Sequence, residues 1–398
     1  MIPETVVAIL AGVIVGIFTG LTPGIHTNFV SALLIASLPL LNNYFSVNTL
    51  VSFIVVMTMI NLFLEFIPSI YLCAPDEETV LSTLPGHDFL LAGKAHQAVF
   101  LSVIGGVMGI IVSFLITAIF FFSIQQIYVF VEKTLAIILI WISLLIVCGE
   151  KEKILAAIIF VLASFLGIAS LNLEINQPLL PLLTGLFGSS SLMVSINQKT
   201  KIPAQICKLE KPNKETITKP LIAGMTMAPL FSFLPGIGSS QATIISSKLF
   251  KKISRDQFIV LNGMINTLLM VLSFAALFLI QKARTGSANA IAELTYISKE
   301  TLIAILVVAL LSGIFGAIIS LNISKMIIKK IHCLNYSKVS LIVLISLLII
   351  ILLVSGLLGL CVLAVSTFLG LTCHYLNIRK GILMSCLLTP TILYYLPF

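Results

Sequence analysis

A short phrase built on Pro-Gly occurs twice in this chain, each time inside an apolar stretch too long for the core of a soluble protein. The first copy, residues 21–28, reads LTPGIHTN, and the second, residues 233–240, reads FLPGIGSS. In a bilayer, broken backbone is tolerated only where it is buried in protein or lines a cavity. A matched pair of interrupted apolar segments is typical of a transporter that binds its substrate between them. We therefore expect both phrases to be tips of re-entrant hairpins that meet near the midplane.

The composition predicts an all-α polytopic membrane protein. The 398 residues are 59% hydrophobic and 10% charged, with a mean hydropathy of +1.16, whereas soluble domains carry about 25% charged residues. The net charge is +8, and the basic residues lie in the links between apolar stretches. The positive-inside rule accounts for this pattern, so the expected surroundings are a lipid bilayer and no nucleic-acid partner is inferred. The seven cysteines are scattered without a CxxC pair and are expected to be small packing residues.

Hydropathy divides the chain into two broken segments and about ten full spans. The broken segments are 6–41 and 220–250; the first also fits two full spans joined by a tight turn. The full spans are predicted at 50–73, 99–123, 136–147, 154–170, 179–194, 258–280, 302–321, 341–354, 358–375 and 382–396. In the second of these spans, Gly105, Gly106 and Gly109 are expected to allow close helix packing.

A lysine-rich connector separates two halves. It holds six lysines against two glutamates between residues 198 and 219. We therefore predict a first membrane repeat at 1–197, a cytoplasmic connector at 198–219 and a second, inverted membrane repeat at 220–398. Each repeat contains one Pro-Gly hairpin and about five transmembrane helices.

The distribution of charge predicts the topology. If segment 220–250 is a hairpin, every strongly basic link falls on one side, as the positive-inside rule requires. Each repeat contains five full spans. Because five is an odd number, the second repeat starts on the opposite membrane face and is inverted relative to the first. We expect a multi-pass protein of the plasma membrane with both termini outside. The tripeptide Met-Ile-Asn at 59–61 recurs at 264–266, on the span after each hairpin, which supports the repeat.

The chemistry of the tips favours an anion. After each Pro-Gly a half-helix begins, and its first N–H groups have no intrahelical partner and carry a partial positive charge. Carbonyls freed by the break are an alternative site for Na⁺, and a kink that only packs against a neighbour is the structural alternative. The predicted substrate-binding residues are Pro23, Gly24, His26, Thr27, Asn28, Pro235, Gly236, Gly238, Ser239, Ser240 and Gln241.

A second group of polar residues lies within the spans. Asn61 and Glu65 are four residues apart and share one helical face, and Asn266 occupies the position equivalent to Asn61. An ionisable group within a span is a functional candidate by default, so these three residues are expected to line the cavity or bind the coupling ion. The alternatives are hydrogen bonding between helices for the asparagines and hydration at the cytoplasmic end for Glu65.

The remaining polar residues indicate neither catalysis nor a metal. The spacing of the acidic and histidine residues between the first two full spans matches no metal motif, so a solvated loop is expected at Asp76, Glu77, Glu78, His87, Asp88 and His96. Lys282 and Arg284 are expected to be interface anchors. The chain contains no nucleotide-binding loop and no nucleophile–base arrangement. We predict no enzymatic activity and no cofactor beyond a coupling ion, Na⁺ or H⁺.

Several stretches together resemble the large membrane subunit of the tripartite tricarboxylate transporters, in its shorter archaeal-type branch. They are the two Pro-Gly-Ile phrases, the loop from Pro75-Asp76-Glu77 to His87, LLTGLFG at 182–188 and LTPTILYY at 388–395. The resemblance implies a secondary transporter of an organic anion with the tips as the substrate and ion site. It also implies a small membrane subunit and an extracytoplasmic binding protein as partners. The first phrase departs from the glycine-rich pattern of tricarboxylate-transporting members at His26, Thr27 and Asn28.

Three functions are therefore carried forward. The first is a cation- or proton-coupled permease (a symporter) for small carboxylates, moving by an elevator or a rocking motion. The second is a polyprenyl- or lipid-phosphate translocase, because paired inverted Pro-Gly hairpins also resemble the polyprenyl-phosphate carriers. The third is a membrane assembly subunit that does not transport. A homo-oligomer is compatible with all three.

Overall fold

The computed structural model describes residues 2–22, 27–41, 44–72, 79, 83–197, 202–232, 238–250, 253–331 and 336–396, and all regular structure within them is helical. This agrees with the predicted all-α class. In the first half the helices are α1 (Ile2–Leu21), α2 (Thr27–Ala36), α3 (Leu38–Leu41), α4 (Val47–Leu64), α5 (Phe66–Leu72), α6 (Thr83–Leu91), α7 (Ala95–Cys148), α8 (Lys153–Asn172), α9 (Leu179–Leu183), a π-helix (Thr184–Ser189) and α10 (Ser190–Asn197).

The second half also contains both long and short helices. Its elements are α11 (Lys214–Phe231), α12 (Ser239–Leu249), α13 (Arg255–Ile280), α14 (Gly286–Leu294), α15 (Lys299–Ile331), α16 (Tyr336–Tyr375), a 3₁₀-helix (Lys380–Met384) and α17 (Ser385–Tyr395). Side chains define where the key helices begin. Asn213 caps α11 by accepting from the Thr216 N–H at 2.8 Å. Ser254 and Gln257 form a reciprocal capping box at the start of α13.

Seven helices in the described part of the chain are long and apolar enough to cross a membrane: Glu4–Leu21, Val47–Leu72, Ala95–Phe121, Lys153–Asn172, Arg255–Ile280, Lys299–Ile331 and Ser340–Tyr375. The chain is therefore a multi-pass membrane protein. This set differs from the ten predicted spans. Helices Ala136–Cys148 and Leu179–Val194 are shorter than a full span, stretch 382–396 is divided between the 3₁₀-helix and α17, and stretches 341–354 and 358–375 form one helix. Glu4–Leu21, the first arm of broken segment 6–41, is itself long enough to cross.

Gly356 breaks α16 between two predicted spans. Its φ of 68° and ψ of −165° are not helical, and a backbone of this kind is accessible to glycine at little cost. The hydroxyl of the preceding Ser355 donates to the Asn176 carbonyl at 2.9 Å. The predicted link at Ser355-Gly356 is therefore a kink that joins spans 341–354 and 358–375 within one assigned helix.

The outer helices present large apolar side chains to their surroundings. Examples are Ile14 in α1, Phe165 in α8, Phe315 in α15 and Leu353 in α16, which are all more than 60% exposed. A soluble protein would aggregate through such surfaces, whereas a bilayer covers them.

The buried centre consists of α4 and α13, and each packs along a helix of the other half. Helix α13 runs beside α7 so closely that a Cβ on Gly105 would lie 2.0 Å from the Val260 carbonyl oxygen and one on Gly263 would lie 2.2 Å from that of Ser102. The close packing predicted for the glycines of α7 is thus confirmed. Helix α4 runs beside α15, where the Ser320 hydroxyl donates to the Phe63 carbonyl at 2.9 Å.

The basic connector lies at the end of the bundle where α7 and α13 begin. Gln205 Oε1 accepts from the Ala95 N–H at 3.1 Å, and Gln97 donates to the Glu210 carbonyl at 2.9 Å. Further polar contacts join the same end: Lys94 with Glu210, Asp88 with Arg255, Gln257 with Glu215 and Arg379 with Glu150. The connector, the residues before α7 and the start of α13 therefore lie at one end of the bundle.

Candidate functional site

Each Pro-Gly phrase lies between two helices. The first connects α1 to α2 and the second connects α11 to α12, so the predicted half-helices begin at Thr27 and Ser239. The predicted residues Pro23, Gly24 and His26 and the pair Pro235 and Gly236 lie outside the described residues. The site is therefore built from the residues that flank the two breaks.

The first phrase reaches the start of α14. Thr27 is buried and Asn28 is exposed. The Asn28 side chain packs against Gly286, where an added Cβ would lie 2.5 Å from the Asn28 Cγ. One residue further, the Ser287 hydroxyl accepts a hydrogen bond from Thr58 of α4 at 2.9 Å. The beginning of α14 thus joins the first phrase to the buried helix α4.

The second phrase is followed by buried polar side chains. Ser239, Ser240 and Gln241 are each 3% exposed or less. Gln241 Oε1 accepts from the Gly238 N–H at 2.9 Å, which caps α12. Its Nε2 atom is buried without a hydrogen-bond partner in the described part of the chain. A buried amide donor of this kind is costly unless something accepts from it, so a ligand oxygen fits this position.

Glu65 is the buried acid of the site, and two asparagines hold it. It is 2% exposed at the break between α4 and α5. Asn61 Nδ2 donates to Glu65 Oε2 at 3.0 Å, as the four-residue spacing predicts, and Asn266 Nδ2 of α13 donates to Oε1. The three residues predicted as one group are therefore brought together, and the hydrated position considered for Glu65 is replaced by a buried one.

The group around Glu65 also offers an unused acceptor. Among the described residues, nothing donates to the buried Oδ1 atom of Asn61. Gly20, at the end of α1, lies against Asn61 and Leu64, so this acceptor is close to the first phrase. Carboxylate and amide oxygens bind hard cations, and the carboxylate can also take up a proton.

The predicted acidic and histidine loop does not gather into one cluster in the part described. Asp76, Glu77 and Glu78 lie outside the described residues. Asp88 pairs with Arg255 at 3.3 Å, and His96 Nδ1 lies 2.8 Å from the Ser324 hydroxyl. No group of three His, Cys, Asp or Glu side chains within the described ranges is arranged to hold a metal. Burial lowers the pKa of His87, Asp88 opposes this shift, and the charge of Lys380 adds to it.

Sequence reasoning missed two features. Lys380 is 6% exposed and donates to the hydroxyls of Ser190 and Ser191 at 2.9 and 2.6 Å, although its sequence position indicates a cytoplasmic link. The serine run beside the π-helix was the available signal. The second feature is segment 282–289, in which Arg284 lines a cavity with Ser232, the last residue before the second phrase.

Comparison with known proteins gives the family. The chain matches the model described as "Tripartite tricarboxylate transporter TctA family" over residues 6–385. It is 31% identical over 400 residues to an uncharacterized protein of Methanocaldococcus jannaschii, with 98% of each chain covered. No solved structure matches it. Because the family match spans nearly the whole chain and includes both Pro-Gly phrases, the protein belongs to the TctA family of tripartite tricarboxylate transporters.

Proposed function

We propose that this protein is a secondary transporter that carries small organic anions across the plasma membrane, coupled to a gradient of Na⁺ or H⁺. The observation that carries the proposal is the approach of both Pro-Gly phrases to segment 282–289. Asn28 of the first phrase packs on Gly286, and Ser232, directly before the second, lines a cavity with Arg284. The helix starts at Thr27 and Ser239 supply the partial positive charge that favours an anion.

Glu65 is the proposed coupling residue. A buried carboxylate between apolar helices is costly unless function retains it. Asn61 and Asn266 hold the carboxylate in a fixed position, and Asn61 Oδ1, to which nothing donates among the described residues, provides a further oxygen for Na⁺. If the coupling ion is a proton, the Glu65 carboxylate carries it. Because Asn61 lies against the end of α1, ion binding at Glu65 is positioned to influence the first tip.

The proposed architecture is a pair of inverted repeats at 1–197 and 220–398. Exchange of partners between the halves supports it, since α4 packs with α15 as α13 packs with α7. Asn61 and Asn266, the asparagines of the repeated tripeptide, belong to different halves of the chain. Both donate to the Glu65 carboxylate, as equivalent residues near a two-fold axis would. The second re-entrant hairpin is supported by the position of the connector, because Glu215 at the start of α11 contacts Gln257 near the start of α13.

Transport in proteoliposomes tests the function. A panel of labelled mono-, di- and tricarboxylates is offered with and without Na⁺ and a pH gradient. We expect saturable uptake of at least one acid that increases with one of the gradients. No saturable uptake of any acid by well-folded protein would contradict transport and favour the assembly role.

Bulky substitutions test the location of the site. Leucine at Gly24, Asn28, Gly236 or Ser240 is expected to abolish uptake because each residue belongs to a phrase proposed to contact the substrate. The matched control is Ser346→Leu on the exposed side of α16. Uptake that survives all four substitutions would remove the tips from the mechanism. Tags near residues 42 and 211 test the topology, which requires these residues to lie on opposite membrane faces.

A lipid phosphate is the second candidate substrate. The supporting observation is an apolar cavity of about 810 Å³, whose lining includes Leu21 at the start of the first phrase and the lysines Lys329 and Lys330. Apolar walls accommodate a polyprenyl chain, and lysines suit a phosphate. Competition separates the two candidate substrates. Polyprenyl phosphate should inhibit carboxylate uptake only if both substrates use one site. Translocation of polyprenyl phosphate by a protein that takes up no carboxylate would favour the lipid.

The partners proposed from the family are a small membrane subunit and an extracytoplasmic binding protein. The family name describes a tripartite transporter, which supports this assembly. Co-expression with candidate partners followed by purification in mild detergent tests it. A stable complex and a higher rate of uptake at low substrate concentration are expected, whereas uptake independent of both partners would indicate a self-sufficient permease.

A further inference from the structure

A small polar cavity lies beside the second Pro-Gly phrase. Its volume is about 170 Å³, and its lining includes Lys282, Arg284, Ser232 and Asn289 against an apolar wall of Ala276 and Ile280. Sites for drug-sized ligands are typically about 300–1,000 Å³. The cavity is therefore suited to one charged group of a substrate.

The segment that carries the two cations turns back along α13. The Thr285 hydroxyl lies 3.2 Å from that of Ser273 and 3.6 Å from the Met270 sulfur. Ser273 and Met270 lie about 10 to 15 Å before Ile280, where α13 ends, because a helix rises 1.5 Å per residue. Helix α14 thus begins well inside the end of α13. Arg284, expected to be an interface anchor, is half-buried beside this part of α13.

Two basic side chains, Lys282 and Arg284, line this cavity. Among its described lining residues, none carries a carboxylate. Lys282 is exposed, whereas Arg284 is half-buried with its Nη1 atom fully shielded from solvent. Charges interact more strongly in such surroundings than in water, and clefts lined by one sign of charge concentrate ions of the other. Helix α14 begins two residues after Arg284 and adds a partial positive charge.

We propose that Arg284 and Lys282 form the carboxylate-binding subsite of the transport pathway, between the two Pro-Gly phrases. This rests on the proposed function. Arg284 binds the carboxylate through its planar guanidinium group, which matches two oxygens at once. Lys282 lies at the exposed side of the cavity and attracts the anion. The contact between Gly286 and Asn28 connects this subsite to the first phrase.

The test compares variants by uptake and by direct binding. Variants R284Q, R284K and K282Q are reconstituted, and succinate and citrate serve as probes. R284Q is expected to raise KM for uptake and Kd for binding about tenfold or more, because a lost charge-assisted hydrogen bond has an effect of this size. R284K should fall between wild type and R284Q, and K282Q should raise KM a few-fold and weaken its dependence on ionic strength.

The controls separate this subsite from general surface charge and from the proposed function. K299Q removes an exposed cation at the start of the next helix, α15, and R255Q removes one at the opposite end of α13; both should leave KM within twofold. Binding is measured as the shift of thermal unfolding by each probe. Equal shifts in wild type and R284Q, or none in wild type, would overturn the subsite. Absent uptake together with binding that R284Q abolishes would overturn only the proposed transport.

Discussion

Asn266 donates a hydrogen bond to the carboxylate of Glu65, which lies 201 residues earlier in the chain. The contact joins the two most buried helices of the bundle by a polar interaction in otherwise apolar surroundings. Asn61 completes the arrangement from the same helix as Glu65. The two halves of the chain therefore meet at this one carboxylate.

Replacing Glu65 should separate coupling from folding. The E65Q side chain has nearly the same shape and keeps polar atoms toward both asparagines, so the fold is expected to survive while stimulation by Na⁺ or by a pH gradient is lost. Uptake with and without each gradient measures this effect. E300Q is the matched control, because it makes the same change at an exposed carboxylate that accepts from Ser298. Full gradient stimulation in E65Q would remove Glu65 from the coupling site.

Crowding the contact between α7 and α13 should destabilise the protein. In G105A the new Cβ would lie 2.0 Å from the Val260 carbonyl oxygen, so the helices must separate. Overpacking of this kind costs about 1–3 kcal/mol. Thermal unfolding in detergent measures the loss. G381A is the control, because its new Cβ would meet only the end of Ile244 at 3.4 Å, and equal losses in the two variants would contradict the proposed role of the close contact.

Removing one partner of Lys380 should weaken the junction between α10 and the 3₁₀-helix. The ammonium group is buried and donates to Ser190 at 2.9 Å. In S190A one of its acceptors is missing, and we expect a loss of about 1–3 kcal/mol in the free energy of unfolding. S346A removes a hydroxyl that donates to the Val343 carbonyl of its own helix and should have a smaller effect. A loss in S190A no larger than in S346A would show that the lysine does not depend on this serine.

The buried ring of His87 should make stability depend on pH. Burial lowers the pKa of His87 in the folded state from an unfolded value of about 6.5. The unfolded chain therefore binds the proton more readily, so the contribution of His87 is complete above about pH 6.5 and is lost as pH falls through the folded pKa. Thermal midpoints at a series of pH values should decline less steeply in H87Q than in wild type.

A second variant checks the cause of this pH dependence. The Asp88 carboxylate opposes the lowering of the His87 pKa, so D88N should move the loss of stability to lower pH and make the total loss larger. The Arg255 pair is removed as well, but this exposed ion pair is expected to shift all midpoints by a similar amount. Identical pH profiles in wild type, D88N and H87Q would show that His87 does not titrate within this range.

The parts of the site that follow local rules were predictable from sequence. Asn61 and Glu65 meet because residues four apart share a helix face. The tripeptide repeated at 264–266 pointed to Asn266 as a member of the same group, and its side chain does contact Glu65. Apolar length and composition were sufficient to place most of the long helices.

The parts that depend on distant contacts were not predictable. Segment 282–289 carries two cations, Lys282 and Arg284, and follows Gln281, the C-cap of α13. In a sequence, a polar segment of this kind is typical of a link at the surface. Its return into the bundle depends on Thr285 meeting Ser273 and on the fit of Gly286 against Asn28, a residue of the other half. The burial of Lys380 likewise depends on Ser190 and Ser191, which lie in the other half of the chain. Periodicity contains no information about such pairings.

The exchange of helix partners between the halves has a consequence for biosynthesis. When the ribosome has delivered only the first half to the membrane, α7 lacks α13 and α4 lacks α15. The glycine face of α7 and the carboxylate of Glu65 then lack their partners, in the lipid or in the insertion machinery, until about 200 further residues have been inserted. The chain is thus expected to mature late, and a stalled first half is expected to be a substrate for membrane quality-control proteases rather than a stable fragment.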